Sequence, residues 1–199
     1  MIQPPSPHVR HQEPSSPLAP ALRALEDASA LDPVVDLGDR VAEAVTSSPA
    51  VRDALRGAWL GHALHPLLIE VPMGTWTSAA VLDLAGGESA RDGARLLTGV
   101  GLLAAVPAAL SGWAEYAGTD QSSRRVGVIH AGANAVGAGL QLASWSARRD
   151  GRHRLGAALG MTALGVVGVA GYLGGHLAVA RKVGTHDPSF TPDAARNAR

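Results

Sequence analysis

The sequence predicts an all-α membrane fold: a four-helix transmembrane bundle preceded by short amphipathic helices. Three observations carry this. First, Asp, Glu, Lys and Arg are absent between Arg95 and Glu115, between Arg125 and Arg148, and between Arg154 and Arg181. Each window is about as long as the ~20 apolar residues a helix needs to cross a bilayer at ~1.5 Å per residue. A soluble helix of that length carries a polar face, and these do not. Second, the 199 residues include 24 Gly, concentrated with Ala in those windows, as is usual for membrane helices. Third, small residues recur four apart: Gly156 and Gly160, Gly171 and Gly175, and Ala131, Ala135 and Gly139. That spacing lets helix backbones approach closely where lipid removes the hydrophobic drive for association. It is compatible with a homo-oligomer as well as with packing inside one bundle.

Taken in order, residues 1–17 are rich in Pro, Ser, His and Gln and read as a disordered tail. They contain no apolar core of a secretory signal. Residues 18–58 read as short amphipathic helices. Asp32-Pro33 marks a helix start, with Pro at a first-turn position. Val34, Leu37, Val41 and Val45 then recur on one face, suited to a membrane surface or to the end of the bundle. Residues 59–184 form the membrane domain, with spans at about 66–84, 96–114, 126–147 and 155–180. The first span is the least regular. Glu70 and Asp83 interrupt it near its two ends, and Pro72 removes one helical hydrogen bond. Trp113 and Trp145 close the second and third spans, where interfacial aromatics sit. Residues 185–199 read as a polar tail.

Charge and motifs exclude several functions. Seventeen basic residues balance seventeen acidic ones, so there is no basic surplus for nucleic acid. With no cysteine, the chain has no disulfide, thiolate nucleophile or Cys-ligated metal of its own. No haem-attachment CxxCH, no HExxH and no GxSxG occurs, and no residue stands out as catalytic.

Four spans return the chain to its starting side, so the N- and C-terminal segments share one face. His62, His65, Glu70, Glu115, His130 and His176 all fall toward that face. On the third helix His130, Asn134 and Gln141 share a stripe, and Tyr172 and His176 lie four apart on the fourth. His8, His11, His153 and His186 fall in tails or a loop and read as solvated. Polar groups in hydrocarbon face a bundle interior, because unpaired they cost several kcal/mol. Three readings stand for them. His65, His130 and His176 bind haem or another transition metal, with the carboxylates in support. Alternatively the same groups are interhelical hydrogen-bond glue in a structural or anchoring protein. Or Glu70, Glu115 and the stripe carry protons or ions.

The stretch Gly61-His-Ala-Leu-His65-Pro-Leu-Leu-Ile-Glu-Val-Pro72-Met-Gly74-Thr-Trp resembles domain-of-unknown-function family 2231, bacterial membrane proteins with four helices. So do Arg124-Arg125-Val-Gly-Val-Ile-His130-Ala leading to Asn134, Ser111-Gly112-Trp113-Ala-Glu115-Tyr, and Gly171-Tyr-Leu-Gly174-Gly175-His176-Leu-Ala followed by Val183-Gly184. The resemblance covers roughly residues 55–187. It implies a multi-pass protein of the bacterial inner membrane without an established activity. Some relatives carry a Rieske-type iron–sulfur domain after the membrane part, so the resemblance points to an iron–sulfur or other redox protein as a separate partner here. Orientation is not set by Lys and Arg. Arg52, Arg56, Arg124, Arg125, Arg181 and Lys182 on one side balance Arg91, Arg95, Arg148, Arg149, Arg152 and Arg154 on the other. The long N-terminal segment without a signal places its side in the cytoplasm.

Overall fold

The first two charge-free windows are the middles of longer helices, and the third fills nearly all of its own. In the computed structural model, which describes residues 16–186, α5 runs Arg91–Tyr116, α6 Gln121–Arg149 and α7 His153–Gly175, the last continuing as a π turn over His176–Ala180. Each extends beyond its window because charged residues continue the helix into water. Arg91 and Arg95 pair with Glu88 and Asp92 one turn away, as i,i+3 neighbours do. The start of α6 is capped by Asp120, whose side chain accepts from the Ser123 amide at 2.8 Å. Gly151, at φ +76°, turns the chain between α6 and α7.

Ahead of these lie α1 (Ala19–Glu26), α2 (Asp32–Val45), α3 (Pro49–Arg56) and α4 (His65–Ala85). Among the described residues there is no strand, only an isolated bridge between His62 and Thr185. Three helical segments, Glu88–Tyr116, Gln121–Arg149 and His153–Ala180, are long and apolar enough to cross a membrane. The expected disorder of residues 1–17 lies, up to residue 15, outside the described residues. So does the polar tail beyond His186.

The four long helices pack as two hairpins. α4 lies along α5 and α6 along α7, and the hairpins close on each other through α5–α6 and α4–α7. The packing is inverted relative to a soluble protein. The largest fully buried side chains include Gln141, Thr98, Ser111 and Ser144, while Leu84, Leu96, Leu103 and Val169 stand exposed. Small and polar groups inside with aliphatics outside is the distribution lipid selects. Of the small-residue pairs, only Gly156 and Gly160 make a close approach, against Arg148 and Ser144 of α6. Gly139, Gly171 and Gly175 face open space.

The two hairpins repeat one pattern. Pro72, Trp76 and Ala79 are buried on α4, and Gly137, Gln141 and Ser144 occupy the corresponding positions on α6. On α5 the buried positions Ala94, Thr98, Gly101, Ala108 and Ser111 correspond at one constant offset to Gly156, Gly160, Ala163, Ala170 and Leu173 on α7. Corresponding residues also meet each other: His65 meets His130, and Asp83 meets Arg148. Self-paired contacts mark a two-fold axis. This axis runs between α4 and α6, from the histidines at one end to the ion pair at the other.

The amphipathic segment forms a cap at the histidine end, and of the two settings its apolar stripe suits, the bundle is not the one it faces. Val35, Gly38 and Ala42 of α2 are buried against Tyr116 and Val128. Val34, Leu37 and Val41 are exposed. Space is tightest at Gly38, where a Cβ would lie 2.9 Å from Tyr116 Oη, so the inner face needs a glycine at that point. Polar bonds fix the cap. Arg125 grips Asp32 at 2.8 and 3.1 Å and Arg124 meets Asp39 at 3.1 Å; beside the cap, Arg181 after the π turn meets Asp120 at the start of α6 at 2.9 Å. The Arg125 guanidinium holds the Asp32 carboxyl below the usual carboxylate range. The Ser123 backbone amide, with Arg181, does the same for Asp120. A carboxylate whose folded pKa is depressed stabilises the fold above its unfolded value of ~3.9, and that stability is lost as pH falls through the folded value. Amide protection in α1 and α2, followed by hydrogen exchange, is therefore expected to stay level from neutral pH to about 4.5 and to fall below ~4. Loss of protection already at pH 6 would assign the docking to other groups.

Candidate functional site

The residues that meet inside the bundle are fewer than their sequence positions suggest. His65 opens α4, and its Nδ1–H donates to the Ala108 carbonyl of α5 at 2.8 Å. His130, a little over two turns into α6, donates from Nδ1–H to the Ala170 carbonyl of α7, also at 2.8 Å. These bonds are equivalent across the two-fold axis. A carbonyl only accepts, so both Nδ1 atoms carry the proton and the neutral rings keep their lone pairs on Nε2. A glycine of the neighbouring helix presses each ring: a Cβ on Gly112 would lie 3.0 Å from His65 Cε1, and one on Gly174 would lie 2.9 Å from His130 Cε1. The ring centres are 6.3 Å apart at an interplanar angle of 81°.

Their surroundings are polar but uncharged. Ser111 Oγ donates to the Ala108 carbonyl at 2.9 Å and lies 3.3 Å from His65 Nδ1. Asn134 Nδ2 is 3.1 Å from His130 Nε2 and 3.0 Å from the His130 carbonyl, donating to both. Gln141 follows deeper on the same stripe and is fully buried, so that stripe does face inward.

Other expected members lie elsewhere. His176 turns to the cap, where its Nε2 donates to Glu26 at 2.8 Å, with Arg181 3.6 Å from the same oxygen. It does not complete a triad with His65 and His130: among the described residues no three His, Asp or Glu side chains cluster as metal ligands. Glu70 is exposed because the inward face of α4 is set by Pro72, Trp76 and Ala79. Tyr172 is 44% exposed, two residues past the inward Ala170. Glu115 is buried at the end of α5 and accepts from His186 at 2.9 Å. That corrects the expectation of a solvated His186, because the chain folds back at Gly184 (φ +90°) so that Ala63 N donates to its carbonyl. His62 stays at this mouth, its Nδ1 donating to the Ala63 carbonyl at 3.1 Å.

The sequence reading missed the opposite end of the axis. Arg148, 2% exposed, holds Asp83 in a two-pronged pair at 2.6 and 2.5 Å. Ser144 and Gly156 line the rest of the Arg148 stem. The available signal was an acid, Asp83, and a base, Arg148, at corresponding ends of the first and third spans.

Two neutral imidazoles with Nε2 lone pairs, that of His130 accepting from Asn134, can tie helices together, relay a proton or, where Asn134 gives way, hold a metal ion. The profile of a family described as "Predicted membrane protein (DUF2231)" matches residues 61–187. No curated protein and no solved structure matches the chain.

Proposed function

The chain belongs to the DUF2231 family of predicted membrane proteins, and on that premise we propose that it is a redox-associated, metal-binding subunit of the bacterial inner membrane. Four spans, α4 to α7, form two fused hairpins, and His65 and His130 hold one transition metal between them, as a bare ion or as haem iron. What supports α4 as the fourth span is its packing along α5 and its place in the repeat opposite α6. Its Asp83 is neutralised by Arg148, and Glu70 lies ~7.5 Å from the helix start, within reach of headgroups. The outward Val34, Leu37 and Val41 of α2, with Trp59 at 72% exposure, suit a membrane surface. That surface is the cytoplasmic one in this reading, which keeps the N-terminal segment in the cytoplasm.

The observation that carries the metal reading is the matched pair of Nδ1–H bonds to backbone carbonyls. Metal-ligating histidines are held this way, with the second ring nitrogen donating to a carbonyl or carboxylate. An iron–sulfur or other redox partner exchanges electrons on the cap side, where His65 opens its helix. Hydrogen-bond glue is the competing reading, favoured by the Asn134 bond to His130 Nε2.

Absorption spectra and elemental analysis of the gently extracted protein, grown with haem precursor and metals, separate the two. Near-stoichiometric metal is expected, lost in His65→Ala and His130→Ala and kept in His176→Ala. Metal-free protein without a Soret band leaves the pair as glue.

A further inference from the structure

We propose that the groove between α5 and α6, at the end away from the cap, binds one glycerophospholipid with an anionic headgroup. Its phosphate sits at Arg95, Arg149 and Trp145, and one acyl chain lies along the groove. The site is remote from the histidines and stands whether or not they hold a metal.

The groove has the dimensions of a chain. Its volume is about 570 Å³, within the ~300–1,000 Å³ of ligand clefts. It follows α5 from Arg95 to Leu103, ~12 Å at ~1.5 Å per residue. That is most of the ~15 Å hydrocarbon depth of one leaflet. Leu96, Val100, Leu103 and Leu142 form its walls, and all four stand exposed. Both helices are long and apolar enough to cross a membrane, so hydrocarbon meets these walls. Trp145 closes the side near the mouth, where Gly99 makes room for it: a Cβ on Gly99 would lie 2.9 Å from Trp145 Nε1.

The mouth supplies the charge. The Arg149 guanidinium lies 4.8 Å from the Trp145 ring centre, a cation–π contact, and it pairs with no carboxylate among the described residues. Arg95 meets Asp92 at 3.2 Å, but both are exposed, and such pairs hold weakly, which leaves Arg95 available to a phosphate. Trp76 spends its indole N–H on the Thr98 carbonyl, whereas the Trp145 N–H has no acceptor among the described residues. Guanidinium forks and a ring N–H are donors suited to phosphate oxygens. A zwitterionic headgroup would carry its own cation toward Arg149, and an anionic one does not.

The two-fold axis provides an internal comparison. The equivalent groove, between α7 and α4, has Ala157, Met161, Ala80 and Leu84 where this one has Arg95, Gly99, Trp145 and Arg149. Packing of the scaffold is therefore satisfied without arginine, glycine or tryptophan at these places. Their presence on one side only calls for a ligand, and charge and depth select the phospholipid.

The test is native mass spectrometry of the full-length protein in detergent with equimolar phosphatidylglycerol and phosphatidylcholine of the same acyl chains. One phosphatidylglycerol per chain is expected, favoured by ~5-fold or more, which is what one arginine contributes beside anionic lipid. The double variant Arg95→Ala with Arg149→Leu takes the residues of the equivalent groove, so its fold should hold; an unchanged melt checks this. It should lose the preference and keep weak binding of both lipids. Val100→Trp fills the groove, leaves the charges in place and should lower the occupancy of both lipids. Equal retention of the two lipids by the parent chain overturns the anionic occupant. A preference that survives the double variant, or occupancy indifferent to Val100→Trp, overturns the site. A lipid-free dimer would put a second copy of the chain in the groove and overturns the proposal as well.

Discussion

Asp83→Ala is expected to destabilise the protein by ~3–5 kcal/mol, because it leaves the Arg148 guanidinium alone in the bundle. Arg148 is 2% exposed and both its terminal nitrogens are spent on Asp83. Removing the acid strands a cation whose desolvation has already been incurred. The double replacement Asp83→Leu with Arg148→Met should cost much less, since a pair replaced by apolar groups of similar volume is often close to neutral. Unfolding midpoints of the two variants in detergent, measured against the parent chain, give the comparison. If the single change is no more harmful than the double, the pair is not desolvated and the far end of the axis is wet.

The second large effect concerns a glycine with no room beside it. A Cβ on Gly101 overlaps the Trp76 indole nitrogen and lies 2.6 Å from Thr75 Oγ1. Trp76 is buried and tied to the Thr98 carbonyl at 3.3 Å, so it has nowhere to retreat. Gly101→Ala should therefore cost ~1–3 kcal/mol from overpacking between α4 and α5. Gly165→Ala is the control. Its Cβ meets nothing within 4 Å, and relief of glycine's entropy in a helix interior favours the variant by ~0.5–1 kcal/mol. Equal effects of the two changes in the same melting assay would mean that α4 and α5 are not packed as described.

Charge depletion made the long helices legible, because a span announces itself through what it lacks. The helix ends were not, since Arg91, Asp92 and Arg149 continue the helix outside the apolar window. Within the site, His65, His130, Asn134 and Gln141 were found by helical spacing. Spacing gives relative faces only. It does not say which face is inward when the lipid-facing side is as apolar as the core. Glu70 and Tyr172 stand among the polar groups of that end by sequence, and in the structure they face outward. His176 and Glu26 are far apart in sequence, so their bond left no local trace, and the same holds for Glu115 and His186. On α2 the large apolar stripe suits a membrane surface as well as the bundle end, and spacing does not choose between them; in the structure Val35, Gly38 and Ala42 face the bundle and the stripe faces out. The repeat is faint in the sequence because many corresponding positions differ, Thr98 from Gly160 and Trp76 from Gln141, while His65 and His130, Ala108 and Ala170, and Gly112 and Gly174 are identical.

That repeat has a consequence for self-sorting. Where the axis crosses the far end, the first hairpin presents Asp83 and the second presents Arg148. Two copies of the first hairpin would bring acid to acid, and two copies of the second would bring base to base. Like charges buried at such a contact repel, so each half discriminates against itself and in favour of the other. Two such halves made as separate polypeptides would therefore sort into mixed pairs, and joining them in one chain enforces the same one-to-one stoichiometry.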